Sequence, residues 1–229
     1  MNAEGPQVLV VDDSATSRLV IEKQLRKFGC RVDGAEDGRS ALAAMQSRRY
    51  DLVLLDCYMP DMNGYEVARL VREREGEGTD DGYTPLIGIS AEADAAHVQL
   101  CLDSGMDGIL GKPLPIEEFK KMLALWCDYD ADSGAATAVA VPDAGAVDLE
   151  ALFKTTSRQD LQAMLAAHAK SDAQAVARLA HRMKGAALTM NRAPMVAALE
   201  RIEDAVRNGA AGAAAVGELI SALEAALAD

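Results

Sequence analysis

The chain has 229 residues, 36 of them acidic and 23 basic, for a formal net charge of −13. That acidity argues against nucleic acid or an anionic membrane as the partner, and 4% aromatics argue against a base-stacking platform. Half the residues are hydrophobic, enough to fill a core, and the length allows one large domain or two small ones. The polar start, Met1 to Gln7, is followed by an apolar run of only Val8 to Val11. That run is too short for a signal peptide or a membrane span, so the expected location is cytoplasmic. Cys30, Cys57, Cys101 and Cys127 stand apart with no CxxC pair and no zinc spacing. They are expected to be reduced, mostly buried apolar residues.

Residues 1–127 alternate short apolar runs with helical patterns. The runs are Val8–Val11, a weaker Arg31–Ala35, Leu52–Leu55, Leu86–Ile89 and Ile109–Leu110. Three are continuously apolar, as strands covered on both faces are. The helical stretches carry Leu19, Val20, Leu25 and Phe28 before Gly29, and then span 38–47, 64–74, 94–104 and 116–127. Five strand–helix repeats predict right-handed βαβ units in an open parallel sheet, with the site at the carboxyl ends of the strands.

Residues 128–147 are small, with Gly, Pro, Ser and four Asp, and are expected to form a flexible linker. Residues 148–229 lack strand-like runs and predict helices near 148–154, 159–169, 172–190, 194–208 and 212–227, packed as an antiparallel bundle. Charge divides unevenly. Residues 1–127 hold 14 basic and 22 acidic side chains, the linker none and four, and residues 148–229 nine and ten.

The strand-end residues are chemically pointed. Asp12 and Asp13 follow the first strand, Asp56 ends the third, Ser90 the fourth, and Lys112 follows the fifth. Clustered carboxylates resist burial unless a cation sits among them, and Mg²⁺ favours such oxygen donors. Lys112 can pair with Asp56 or with a phosphoryl oxygen, and Ser90 adds a hydroxyl. The set suits phosphoryl transfer, where catalysis is largely positioning and charge neutralisation.

VLVVDDS at 8–14, LLDCYMPDMNGYE at 54–66, IGISA at 87–91 and GKP at 111–113 resemble, in that order, a response-regulator receiver domain. The resemblance covers nearly all of 1–127 and implies a flavodoxin-like doubly wound (βα)5 fold. It implies Asp56 as phosphoacceptor, and Mg²⁺ held by Asp13, Asp56 and the backbone carbonyl of Tyr58, with Asp12 acting through water. Ser90 and Lys112 would contact the phosphoryl group, and Lys112–Pro113 would be cis. One departure is Ile109, where receivers that drive an output usually carry Tyr or Phe. Asp61 and Asn63 are expected to serve only as turn formers.

Of three histidines, His97 is expected on a solvated helix surface and His168 at a packed edge. His181 lies off the stripe Val176, Leu179/Ala180, Met183, Ala187 and Met190. Its helical neighbours are Ala177, Arg178, Lys184 and Gly185, predicting an exposed imidazole beside two cations and two small residues. An exposed imidazole is a competent phosphoryl acceptor. The cations would draw in a phosphorylated acidic partner, and the small residues would leave it room.

HRMKGAA at 181–187, with Leu199 and Ile202-Glu203 beyond it, resembles a histidine-phosphotransfer (HPt) domain and implies an antiparallel four-helix bundle over 148–229. Asn191 stands where a Gly usually ends the active helix, and the region before His181 is about one helix shorter than usual, a mean helix being about 11–12 residues. The domain order resembles the C-terminal part of hybrid sensor histidine kinases of the BvgS/EvgS type. It implies a phosphorelay. A sensor histidine kinase phosphorylates Asp56, His181 takes the group, and a downstream response regulator receives it. No ATP-binding kinase core is visible. The alternatives are a phosphorylation-controlled binding regulator or a phosphate sink. An aspartyl phosphatase would want DxD at the first strand, where Asp12 and Asp13 are adjacent.

Overall fold

The computed structural model describes residues 5–76, 82–92, 94–131, 148–207, 217–218, 220–221 and 223–224. The chain divides into two compact units, Met1–Gly145 and Ala146–Asp229.

The first unit holds β1 (Gln7–Val11), α1 (Ala15–Lys27), β2 (Arg31–Ala35), α2 (Gly38–Ser47), β3 (Leu52–Asp56), α3 (Gly64–Gly76), β4 (Leu86–Ser90), α4 (Ala95–Asp103), β5 (Gly108–Gly111) and α5 (Ile116–Cys127). All strand pairs are parallel, in the order β2-β1-β3-β4-β5. This is the flavodoxin-like doubly wound order expected for the first unit. The three continuously apolar runs are the three central strands, buried along their whole length. The two weaker runs are the edges.

Side chains alternate across the sheet, so each central strand feeds two cores. Leu9, Val11, Val53 and Leu55 face one way, with Ala41 of α2, Val67 of α3 and Cys101 of α4. Val8, Val10, Leu52 and Leu54 face the other, with Ile21 and Leu25 of α1 and Phe119 of α5. Helix starts follow their capping residues. The Ser14, Asp37 and Asp94 side chains accept from Ser17, Ser40 and His97 amides. Asn63 and Glu66 exchange reciprocal bonds at the start of α3.

One face of α1 differs from expectation. Leu19 and Val20 are only partly covered, while Thr16, Ser17, Ile21 and Leu25 are buried. The polar pair is admitted because the Ser17 hydroxyl donates to the buried Asp12 carboxylate at 2.7 Å.

Of the predicted linker, residues 132–147 lie outside the described residues. Its first four residues are held on the first unit. The Tyr129 hydroxyl donates to the Phe28 carbonyl at 2.9 Å, and Ala131 is buried.

The second unit holds α6 (Leu149–Ala169), α7 (Ala173–Thr189) and α8 (Ala193–Arg207), and the described residues between 217 and 224 are helical as well. Short turns reverse the chain at Ser171 (φ 57°) and Asn191 (φ 58°). Asn191 thus takes the left-handed conformation that a Gly would otherwise supply. The break expected after residue 154 is absent. Thr155 and Thr156 turn their hydroxyls back onto the Ala151 and Leu152 carbonyls, and Ser157 is buried, so α6 runs through unbroken. The core gathers Phe153, Met164, Val176, Met183, Leu199, Ile202 and Ile220.

Candidate functional site

The order of the strands puts the site together. β1 and β3 are neighbours, so Asp12, one residue past β1, meets Asp56, the last residue of β3. This is also where the strand order reverses, the place where open α/β sheets bind ligands. Lys112 follows β5 and reaches over β4, its Nζ lying 2.8 Å from Asp12 Oδ2 and 2.7 Å from Asp56 Oδ2. The Lys112–Pro113 peptide is cis, and the Lys112 amide donates to the Ser90 carbonyl at 2.7 Å.

Asp12 is fully buried and heavily bonded. It accepts from the Ser14 amide, the Ser17 hydroxyl and Lys112, while Arg18 donates to its carbonyl. Asp13 is partly exposed. The carboxylate oxygens of Asp12, Asp13 and Asp56 lie within 4.8 Å of one another. Asp56 Oδ1 accepts the Tyr58 amide at 3.1 Å, which sets the Tyr58 backbone beside the acids. Ser90 is buried at the same edge, its hydroxyl accepting the Glu92 amide.

Burial pushes the Asp56 carboxyl above the usual carboxylate range, with Asp12 adding to the push and Lys112 opposing it. Burial alone would lower the Lys112 pKa, but Asp12 and Asp56 overcome it and hold the ammonium above its ordinary value. The lysine is therefore a fixed positive charge held between two buried carboxylates.

In the second unit, His181 sits on α7 with its Nδ1 2.9 Å from Glu203 Oε1 on α8. Lys184 bonds the other oxygen of the same carboxylate. Burial works to raise the Glu203 pKa, but its bonds to His181 and Lys184 outweigh that and hold it below the usual glutamate value. An ionised carboxylate can only accept. The Nδ1 of His181 is therefore the donor in this bond.

The docking face expected around His181 is different in the structure. Arg178 is exposed, but Lys184 and Gly185 are buried, and His181 itself is only partly exposed. The small residues Gly185, Ala186 and Ala187 let α7 be covered around its whole circumference at this level, so Lys184 turns to Glu203 and not to solvent.

His97 is a second correction. It is buried, its Nε2 2.9 Å from the Tyr65 hydroxyl and its Nδ1 3.3 Å from that of Tyr58. Tyr58 and Tyr65 come from other segments, so nothing in the neighbourhood of His97 in sequence announces them. Glu203 did leave a signal: it is an acid on the apolar stripe Met195, Leu199 and Ile202 of α8.

The family model of the response regulator receiver domain matches residues 8–124, just over half of the chain. The chain belongs to the response regulator receiver family. The Hpt domain model matches residues 148–229, so this receiver is followed by an Hpt module. Together the two place the receiver–Hpt chain in two-component phosphorelay signalling.

Its relatives include the sensor histidine kinase GacS of Pseudomonas protegens, 29% identical over 97% of this chain and 27% of GacS. They also include the virulence sensor protein BvgS of Bordetella bronchiseptica, 30% identical over 83% of this chain and 17% of BvgS. Among solved structures, the complex of the Saccharomyces cerevisiae phosphotransfer protein Ypd1 with the receiver domain of Ssk1 is 22% identical with a TM-score of 0.50, covering 56% of this chain and 97% of that one. That likeness concerns the fold. The receiver domain of the Pseudomonas aeruginosa kinase PA1611 is described with magnesium in its active-site cleft; it is 32% identical, with a TM-score of 0.49, over 55% of this chain and 99% of that one. The receiver–Hpt chain thus spans about a quarter or less of the length of the curated relatives it matches. Among the described residues, no helix is long and apolar enough to cross a membrane.

Proposed function

We propose that Asp56 accepts a phosphoryl group from a sensor histidine kinase and that His181 carries it onward to a downstream response regulator, within a domain arrangement of 1–127, 128–147 and 148–229. The observation that carries this reading is the Lys112 ammonium, 2.7 Å from a buried Asp56 carboxylate at the strand edge.

A carboxylate oxygen of Asp56 attacks phosphorus, forming an O–P bond as the N–P bond to the donor imidazole breaks. Negative charge then spreads over the equatorial oxygens. Lys112 faces that charge without having to move, and Ser90 lies at the same edge. The acids offer oxygen donors alone, a set that suits Mg²⁺. Asp13, Asp56 and the carbonyl of Tyr58 would hold the ion. Asp12, its oxygens already accepting three bonds, would act through water. When bound, the ion supplies further neutralisation of phosphoryl charge.

In the onward step the Nε2 lone pair of His181 attacks phosphorus, the O–P bond breaks, and Asp56 regains its carboxylate. Glu203 holds the Nδ1 proton and compensates the positive ring. Exposed Arg178 supplies the charge that draws in an acidic receiver. A partly exposed imidazole beside the exposed Arg178 favours transfer over a phosphate sink. The test follows a labelled phosphoryl group from a phosphorylated kinase. Label that is alkali-labile on Asp56 and then acid-labile on His181 is the expected course. Label that never reaches His181, even with a downstream receiver present, overturns the relay.

A further inference from the structure

Behind the phosphoacceptor lies a cluster that phosphoryl transfer does not use. Cys57 directly follows Asp56, and Cys101 lies on α4, one helical turn after His97. All three are buried. Their sulfur and imidazole donor atoms lie within 4.8 Å of one another. The cysteines are 44 residues apart in sequence, yet their Sγ atoms are 3.7 Å apart. Gly88 on β4 makes the space, for a Cβ there would lie 3.1 Å from the Cys57 sulfur and 3.5 Å from the Cys101 sulfur.

The spacing decides what the cluster can hold. A disulfide needs its sulfurs about 2.05 Å apart, whereas tetrahedral Zn²⁺, with Zn–S near 2.3 Å, sets two sulfurs about 3.8 Å apart. The observed separation of the two sulfurs matches a shared ion. Two sulfurs and an imidazole are also the donors a borderline-soft ion prefers, while the oxygen site beside Asp56 suits a hard one. The Tyr65 hydroxyl lies 2.9 Å from the His97 Nε2 on the edge of this cluster.

We propose that Cys57, Cys101 and His97 form a binding site for a single Zn²⁺-class transition-metal ion, separate from the carboxylate site. Binding replaces two thiol protons, which pass to solvent, and leaves a neutral two-thiolate, one-imidazole set around a divalent ion. The bound ion ties the end of β3 to α4. Because the Tyr58 hydroxyl also contacts His97, it fixes the segment that follows the phosphoacceptor.

The test uses the whole chain, reduced, with Mg²⁺ in excess to occupy oxygen sites, and Co²⁺ as the probe. One equivalent of Co²⁺ should give a strong thiolate-to-cobalt charge-transfer band and tetrahedral visible bands, and Zn²⁺ should bleach both. Cys101→Ser should lose the charge-transfer band with its circular dichroism unchanged, and Cys127→Ser should keep it. Zn²⁺ should raise the thermal midpoint of the parent and of Cys127→Ser but not of Cys101→Ser. A folded parent chain that shows no thiolate band overturns the proposal, as does a band that survives in Cys101→Ser. Should Cys101→Ser unfold, His97→Gln replaces it, and an unchanged band there is equally fatal. A Cys57–Cys101 disulfide formed with peroxide, in a chain that shows no Co²⁺ thiolate band when reduced, would make the pair a redox site instead.

Discussion

Glu203 lies 22 residues beyond His181 in sequence, yet its carboxylate sits 2.9 Å from the imidazole Nδ1 and holds Lys184 on its other oxygen. One acid thus orients the imidazole proposed to carry the phosphoryl group and neutralises a buried ammonium. Two substitutions probe these roles to different extents. Glu203→Gln keeps an oxygen for the Nδ1 proton but loses the charge. It should slow transfer to the downstream receiver about tenfold with the helices intact. Glu203→Ala strands the Lys184 ammonium and should cost about 3 kcal/mol of stability, as broken buried pairs do. Phosphotransfer kinetics and urea unfolding measure the two effects.

The same acid predicts a pH dependence. Its folded pKa lies below the ordinary value of 4.5. The stability it confers is therefore complete above about pH 4.5 and is lost as pH falls through the lower, folded value. Unfolding of the second unit, followed in parent and Glu203→Gln, should show a gap at neutral pH that shrinks as pH falls below the ordinary glutamate value. A gap that widened on acidification would reverse the assignment.

Lys112→Met removes the cation from between two buried carboxylates. Loss of one preorganised charge typically costs about 3–4 kcal/mol of transition-state stabilisation, or 10²–10³ in rate. Phosphorylation of Asp56 from acetyl phosphate should fall by that much. The variant should also lose stability as pH rises through the carboxylate range, because Asp12 and Asp56 then face each other without a counter-charge.

Asp56→Asn should abolish alkali-labile labelling altogether. Asp13→Asn should leave the fold intact, since Asp13 is partly exposed, while weakening Mg²⁺ binding by an order of magnitude or more. Titration of Mg²⁺ by Tyr or Trp fluorescence checks the second. Mg²⁺ affinity at the parental value would remove Asp13 from the ligand set.

Arg178→Glu reverses the exposed charge near His181. It should reduce the association rate with a receiver about tenfold at low salt and less at high salt, with helicity unchanged. Gly185→Leu is a different kind of variant. Gly185 is buried, so a leucine there overpacks the helix contact and should cost about 1–3 kcal/mol before docking is affected.

Local pattern was enough to read the sheet and its site. Leu52–Leu55 reads as a covered strand because every residue is apolar, and Asp56 stands out because the run ends on a charge. Lys112 was legible for the same reason. What escaped was contact between segments distant in sequence. His97 looks like a surface residue on α4 until Tyr58 and Tyr65 close over it. Lys184 looks solvated until Glu203 arrives from the next helix. Thr155 and Thr156 read as a break because their hydroxyls compete for backbone carbonyls, but in α6 they bond within the helix.

The Lys112–Asp12 bond joins residues 100 positions apart. During synthesis the chain leaves the ribosome with Asp12 first and Asp56 next, and the lysine follows long after. Until residue 112 has emerged, the two acids have no ammonium to share. On the proposed function, a chain ending before β5 would lack that charge along with the edge strand that carries it, and should take up phosphoryl groups far more slowly than the finished receiver.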